Sequence, residues 1–211
     1  MPADDFDSLA ARADLSRLLA ACYYEPGAEF AEEGLFDSIH GAAARLDAGL
    51  AAQARRLGDA FGAADPQELL VDYTRLFLGP IEAPARPYGS VWLEARQGLM
   101  QDSTVAVLDL YADGGFEIDE AFHDLPDHVA AELEFMYLLL FRQAEALRNG
   151  DVPAQARHAQ LQQRLLEEHL GRWVAPFAAA IDAAAQSVFY RELAGLTEAF
   201  VRREVAAAGV R

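Results

Sequence analysis

Apolar residues return every third or fourth position along almost the whole chain, and this spacing limits the fold more than any other feature. Phe6, Leu9, Ala13, Leu18, Leu19 and Cys22 form one stripe. Leu69, Leu70, Tyr73, Leu76 and Phe77 form another, and Val129, Leu133, Met136 and Leu140 a third. A period near 3.6 places each set on one helix face, whereas a half-buried strand would alternate. Alanine occurs 43 times and leucine 28 times, against four isoleucines and three threonines, which favours helix over strand. No strand pattern and no repeat period stands out. The reading is all-α: a single globular multi-helix domain of about nine helices spanning residues 1–211, long enough for one sizeable core.

Punctuation divides the chain. Glu25-Pro26-Gly27 stops the first helix; Leu35, Ile39 and Leu46 mark a second, and Leu50, Leu57 and Phe61 a third. Asp65, Pro66 and Glu68 read as the capped start of a helix that Gly79-Pro80 ends. GPIEAPARPYGS (79–90) follows, with three prolines in 12 residues. It reads as a stiff, hinge-like loop between N- and C-terminal halves. Helix resumes after Ser90 and again from Asp102 to Ala112, with a stop at Gly114-Gly115. A long helix is expected from about Pro126 to Arg148, ended by Asn149-Gly150. Leu161, Leu165 and Trp173 line one further helix, and Phe177, Ile181, Phe189, Leu196 and Phe200 the rest.

Charge is one-sided: 34 acidic against 17 basic residues, net −17, with no lysine. That disfavours nucleic acid and anionic membranes as partners and favours basic ones. Between Gln97 and Phe141 there is no Arg or Lys, while the same 45 residues hold ten acids: Asp102, Asp109, Asp113, Glu117, Asp119, Glu120, Asp124, Asp127, Glu132 and Glu134. A field of this kind would steer a basic partner. MPADDFDSLA lacks the order of a secretory signal, and no apolar run nears the roughly 18 residues of a membrane span, so no stable membrane insertion is expected. The single cysteine, Cys22, reads as a buried thiol in a reducing cytoplasm.

HDLPDHVAAELEFM (123–136) concentrates ionisable groups at the mouth of an apolar helix. Pro126 suits a helix start, Asp124 or Leu125 the cap, and Asp127 the first turn, where a carboxylate contributes about 0.3–1 kcal/mol. Capping does not account for both histidines and Glu132. His128 and Glu132, four apart, could face one ion, and His123 and Asp124 could join them in a metal-dependent hydrolase. Glu120-x-x-His123 has di-iron spacing, but no second copy exists. Ser90 lacks the second glycine of a nucleophile elbow, and no phosphate-binding glycine motif occurs.

Tyr-Thr-Arg-Leu-Phe-Leu-Gly-Pro (73–80), Pro-Tyr-Gly-Ser-Val-Trp (87–92), Pro-Asp-His-Val-Ala-Ala-Glu-Leu-Glu-Phe-Met (126–136) and Glu-His-Leu-Gly-Arg-Trp-Val-Ala-Pro-Phe (168–177), with Phe-Tyr (189–190), occur in that order. Over about residues 10 to 202 the chain resembles the redox-enzyme maturation chaperones typified by TorD and DmsD, with NarJ a more distant relative. The resemblance implies an all-helical, cytoplasmic protein that is not an enzyme and needs no cofactor or metal. Its partner would be the twin-arginine signal peptide, and often the body, of a molybdopterin-containing oxidoreductase subunit, held back from export until the cofactor is inserted. The client is not named by the sequence. Carried over by motif, the peptide-binding residues are Tyr73, Leu76 and Phe77; Pro87 and Tyr88; and Asp127 and His128 with Glu132 one turn on, with Asp124 beside them. Arg86 departs from the pattern, where a second proline is expected. A carboxylate edge beside an apolar wall suits two guanidinium groups followed by an apolar segment. On this reading Asp127, His128 and Glu132 face outward, Val129, Leu133 and Met136 face the core, and Trp173 and Phe177 are core. A monomer or a domain-swapped dimer is expected.

Overall fold

The computed structural model describes residues 6–27, 30, 34–79, 83–94, 101–118 and 124–210. Among them are ten α-helices, one π-helical turn and no strand. The helices are α1 (Phe6–Ala21), α2 (Leu35–Ala44), α3 (Ala48–Ala63) and α4 (Pro66–Tyr73), which runs into a π turn at Thr74–Leu78. After the Pro-rich loop come α5 (Gly89–Leu93), α6 (Asp102–Gly114), α7 (Val129–Asn149), α8 (Val152–Glu168), α9 (Leu170–Ala184) and α10 (Val188–Ala208). Asp65 caps α4, its carboxylate accepting from Gln67 N and Glu68 N, with Pro66 in the first turn.

Two boundaries differ from the sequence reading. The long helix begins at Val129 rather than Pro126, for reasons that belong to the site below. The stripe Leu161, Leu165, Trp173 is shared by two helices, α8 and α9, which meet at His169. His169 leaves helical geometry there (φ −132°, ψ −105°). The chain then turns so tightly that a Cβ on Gly171 would collide with Leu166 O.

Packing interleaves the two sides of the 79–90 loop. α1 lies against α7 and α2; α3 lies against α2 and α10; α10 also meets α8 and α9, and α8 meets α7. α1 contributes Leu9, Leu15 and Leu19 and α7 contributes Val129, Leu133, Met136 and Leu140, all buried, to one continuous apolar cluster. Each such side chain stabilises by about 1.5–3 kcal/mol when fully buried. The thiol of Cys22 is buried against Leu18 O at 3.4 Å, and burial pushes its pKa up, so it stays protonated. No helix among the described residues is long and apolar enough to cross a membrane.

Two polar locks run through this core. Arg12 of α1 donates from Nη2 to Glu204 Oε2 at 2.7 Å and from Nε at 3.0 Å, with both side chains buried. Gln162 of α8 donates to the same carboxylate at 2.9 Å, and Gln143 of α7 donates to Gln162 at 2.9 Å. The chain of bonds therefore joins four helices. Asp72 forms the second lock. Its carboxylate accepts from Gln186 N at 3.0 Å and Ser187 N at 2.8 Å, while Arg75 bridges it to Ala184 O. That clamps the α4–π segment onto the α9–α10 turn.

Removing one partner of a buried pair leaves the other charge uncompensated. Arg12→Ala is expected to cost about 3–5 kcal/mol in urea unfolding. Arg45→Ala, which breaks an exposed 2.8 Å pair with Asp14, should cost less than about 1 kcal/mol in the same measurement.

Candidate functional site

The Pro-rich loop is stitched to the approach of α7. Val129 N donates to Pro87 O at 2.8 Å and Gly89 N to Asp127 O at 2.8 Å, so Tyr88 and His128 form an isolated antiparallel bridge. The Asp127 carboxylate reinforces the bridge by accepting from Ser90 N at 2.8 Å. Trp92 Nε1 donates to Arg86 O at 2.9 Å, tying down the residue where a second proline was expected. Pro126 and Asp127 form a turn closed by His128 N donating to Leu125 O at 3.0 Å, and the pairing holds His128 extended (φ −65°, ψ 141°), so α7 starts at Val129 rather than Pro126. The cap is His128 itself: its Nδ1 accepts from Ala130 N at 3.1 Å. The expected cap at Asp124 or Leu125, with Asp127 in the first turn, is therefore corrected.

Around the bridge, aromatic rings and carboxylates converge. The His128 ring lies near-parallel to Tyr24, with centroids 6.3 Å apart, and edge-on to Tyr88 at 5.5 Å. Tyr24 donates its hydroxyl to Glu134 at 2.9 Å. Asp124, exposed, approaches His128 Nε2 at 3.8 Å, and its hydrogen bond to the Tyr88 hydroxyl joins burial in holding that phenol protonated. Burial lowers the pKa of His128, against the pull of Asp124 and Asp127. A neutral ring with an unprotonated Nδ1 is what the capping bond requires.

Three residues expected to face outward do not. Asp127, His128 and Glu132 are 1 %, 3 % and 0 % exposed. Glu132 points at Trp173, whose Nε1 donates to both carboxylate oxygens at 3.2–3.3 Å. Burial raises its pKa well above the ordinary value, only partly offset by the Trp173 bond, which favours the protonated form. Above this contact sits Gly89; a Cβ there would come within 3.1 Å of Glu132 Oε1 and 3.0 Å of Trp173 Nε1. Only glycine brings the loop that close.

Leu76 and Phe77 are likewise core. The π turn carries both inward, and Phe77 packs on Tyr73, Tyr23, Tyr190 and Phe177. Tyr73 is nearly buried, its hydroxyl 3.5 Å from Tyr23 O, and Pro87 is buried. Trp173 and Phe177 are core, as expected. Of the nine residues, Tyr88 and Asp124 reach the surface. Tyr24 (36 % exposed) and its partner Glu134 complete that surface; the sequence reading counted Glu134 in the acidic field but gave Tyr24 no role. The adjacent Tyr23-Tyr24-Glu25 at the end of α1, one tyrosine buried and one not, was the available signal.

His128 caps α7 and Glu132 binds Trp173, so their four-residue spacing does not bring them to one ligand position. His123 and Glu120 lie outside the described residues, and among the described residues no three His, Cys, Asp or Glu side chains converge as metal ligands. The acidic stretch is also less uniform in space than in sequence. Arg164 pairs with Asp113 at 2.8 Å, and Arg157 donates to Asp113 O, while Asp127 and Glu132 are inside. Asp119 and Glu120 lie outside the described residues.

This arrangement is an all-helical core with a loop bridged to the start of its long helix. The chain belongs to the TorD/DmsD-like group of the nitrate reductase delta subunit family, whose model matches residues 43–179. It is 32 % identical over 124 residues to the Tat proofreading chaperone DmsD of Salmonella typhi, a match covering 59 % of this chain and 54 % of that protein. It is 28 % identical over 144 residues to chaperone protein TorD of Vibrio parahaemolyticus, covering 66 % and 63 %. It is 29 % identical over 133 residues to a perchlorate reductase assembly chaperone protein of Dechloromonas aromatica, covering 62 % and 58 %. The chain thus matches about half the length of the first of these relatives. A crystal structure named as a candidate redox enzyme maturation protein from Archaeoglobus fulgidus superposes with a TM-score of 0.54 at 18 % identity, covering 90 % of this chain and 93 % of that one, and shows the same fold.

Glu132 gives a signed pH test. The unfolded chain releases this proton near its ordinary value of 4.5, while the folded chain keeps it. Wild-type stability therefore falls as pH rises above that value. Glu132→Gln keeps an acceptor for Trp173 without the titration. Thermal melts should show no gain for the variant at pH 4 and a gain that grows as pH rises above 4.5.

Proposed function

We propose that this protein is a cytoplasmic chaperone, not an enzyme, that binds the twin-arginine signal peptide, and with it the body, of a molybdopterin-containing oxidoreductase subunit. It holds that client for cofactor insertion before export. The observation that carries this reading is the exposed edge formed by Tyr24, Tyr88, Asp124 and Glu134 around the buried His128. Carboxylates set beside aromatic faces suit a guanidinium, which pairs with the former and stacks on the latter. The names of the relatives, proofreading and assembly chaperones, support the same reading.

The roles divide by depth. Asp124 and Glu134 take charge, and Tyr24 and Tyr88 supply ring faces. Pro87, Asp127, His128 and Glu132 act from beneath, fixing the loop against α7. Tyr73 and Phe77 support Tyr23, the neighbour of Tyr24, and Leu76 is buried in the same core. A domain-swapped dimer hinged at 79–90 would preserve the α1–α7 and α3–α10 interfaces between copies, and sizing chromatography separates it from a monomer.

Calorimetric titration with a twin-arginine leader peptide tests the receptor. Binding is expected at low salt and should weaken as salt screens the exposed pairs. Asp124→Ala and Tyr24→Ala should each weaken it by about tenfold, and replacing the peptide's arginines by lysines should do so too, since an ammonium lacks the planar fork. No binding at low salt overturns the reading. A leaderless client captured as well as the full one would instead point to recognition of the client body alone.

A further inference from the structure

His169 belongs to a motif the site has not used, Glu-His-Leu-Gly-Arg-Trp (168–173). It sits at the α8–α9 break, 2 % exposed, and neither ring nitrogen has a hydrogen-bond partner. A buried imidazole with both nitrogens unmet is rare, because a neutral ring must place one N–H donor and one lone pair. Two other buried groups share the condition. Asp127 Oδ2 accepts from Ser90 N, but its Oδ1 has no partner, and neither has Ser90 Oγ.

Packing brings the elements that carry these groups together. Trp173, four residues after His169, reaches Glu132 directly under Gly89, the neighbour of Ser90. α9 packs against both α5 and α7. The negative charge of Asp127 acts on the His169 ring, opposing the burial that keeps that ring neutral. The unmet atoms are complementary: an N–H and an O–H to give, a carboxylate oxygen to receive. No direct bond joins them, and a bridging water would meet their needs.

We infer that His169 is a positioning residue for the signal site: through an internal network of ordered water shared with Asp127 and Ser90, it holds the 87–90 loop against the start of α7. The α8–α9 junction is thereby coupled to a surface it does not touch. The role rests on the proposed receptor reading for its binding readout only; the network itself can be read without a leader.

Two measurements decide it. In ring-nitrogen NMR of the full chain, His169 should hold one neutral tautomer with an N–H protected from exchange, and both its shift and its protection should change in Asp127→Asn. Spectra identical in the two proteins, or an unprotected ring proton, overturn the network. In leader titrations, His169→Leu should lose about tenfold or more in affinity, as expected when a buried acceptor is left unmet. His169→Gln, which keeps a donor and an acceptor, should recover most of it. Equal losses in the two variants would mark simple packing, and an unaffected Leu variant would remove the role. If His169→Leu does not fold, the Gln variant and the spectra carry the decision, with a tenfold loss in Gln counting against the role. Wild-type protein that takes no leader overturns the receptor reading and the positioning role with it, while the ring spectra still decide the network.

Discussion

Two backbone hydrogen bonds, Val129 N to Pro87 O and Gly89 N to Asp127 O, organise the edge around His128. They hold His128 extended after the Pro126-Asp127 turn and so decide where α7 begins. The place of that start makes His128 the cap, and the cap sets the ring against which Tyr24 and Tyr88 lie. An isolated two-bond bridge is marginal in water. Here it persists because Asp127 adds a third bond from its side chain and Gly89 lets the loop drop onto the Glu132–Trp173 pair.

Beneath that edge the ionisable groups behave as interior chemistry. His128 is neutral because it is buried and must accept a hydrogen bond; burial pushes the pKa of Glu132 up and favours its protonated form, against the one donor it has. Both would be poor partners for an incoming cation. Charge is left to Asp124 and Glu134, which keep contact with water and with tyrosine hydroxyls. On the proposed reading, the interior acids would shape the binding edge and the surface acids would give it its field.

The helical framework was legible because its signals are local. Apolar spacing placed α1, α3, α4 and α7 to within a few residues, and Asp65-Pro66 and Asn149-Gly150 marked real ends. The boundary misses share one cause. The start of α7 moved because residues some forty positions upstream pair with it. The α8–α9 break at His169 was hidden because an apolar stripe can continue across two helices that turn on each other. Leu76 and Phe77 sit in the core with Leu69 and Tyr73, as their shared stripe implied, and it was the motif carry-over that assigned them to a peptide wall.

Sequence by itself determined that the chain is all-α, that its motifs fall in the order of the TorD/DmsD-like family, and that the region around HDLPDHVAAELEFM matters. Helix periodicity and motif order are properties of neighbouring residues, readable without a fold. Only the tertiary structure decided which side chains of that region meet solvent. Burial depends on what packs above a residue, and here Gly89, Trp173 and the tyrosines come from three other elements. They enclose Asp127, His128 and Glu132 and leave Asp124, with Tyr24 and Glu134, at the surface.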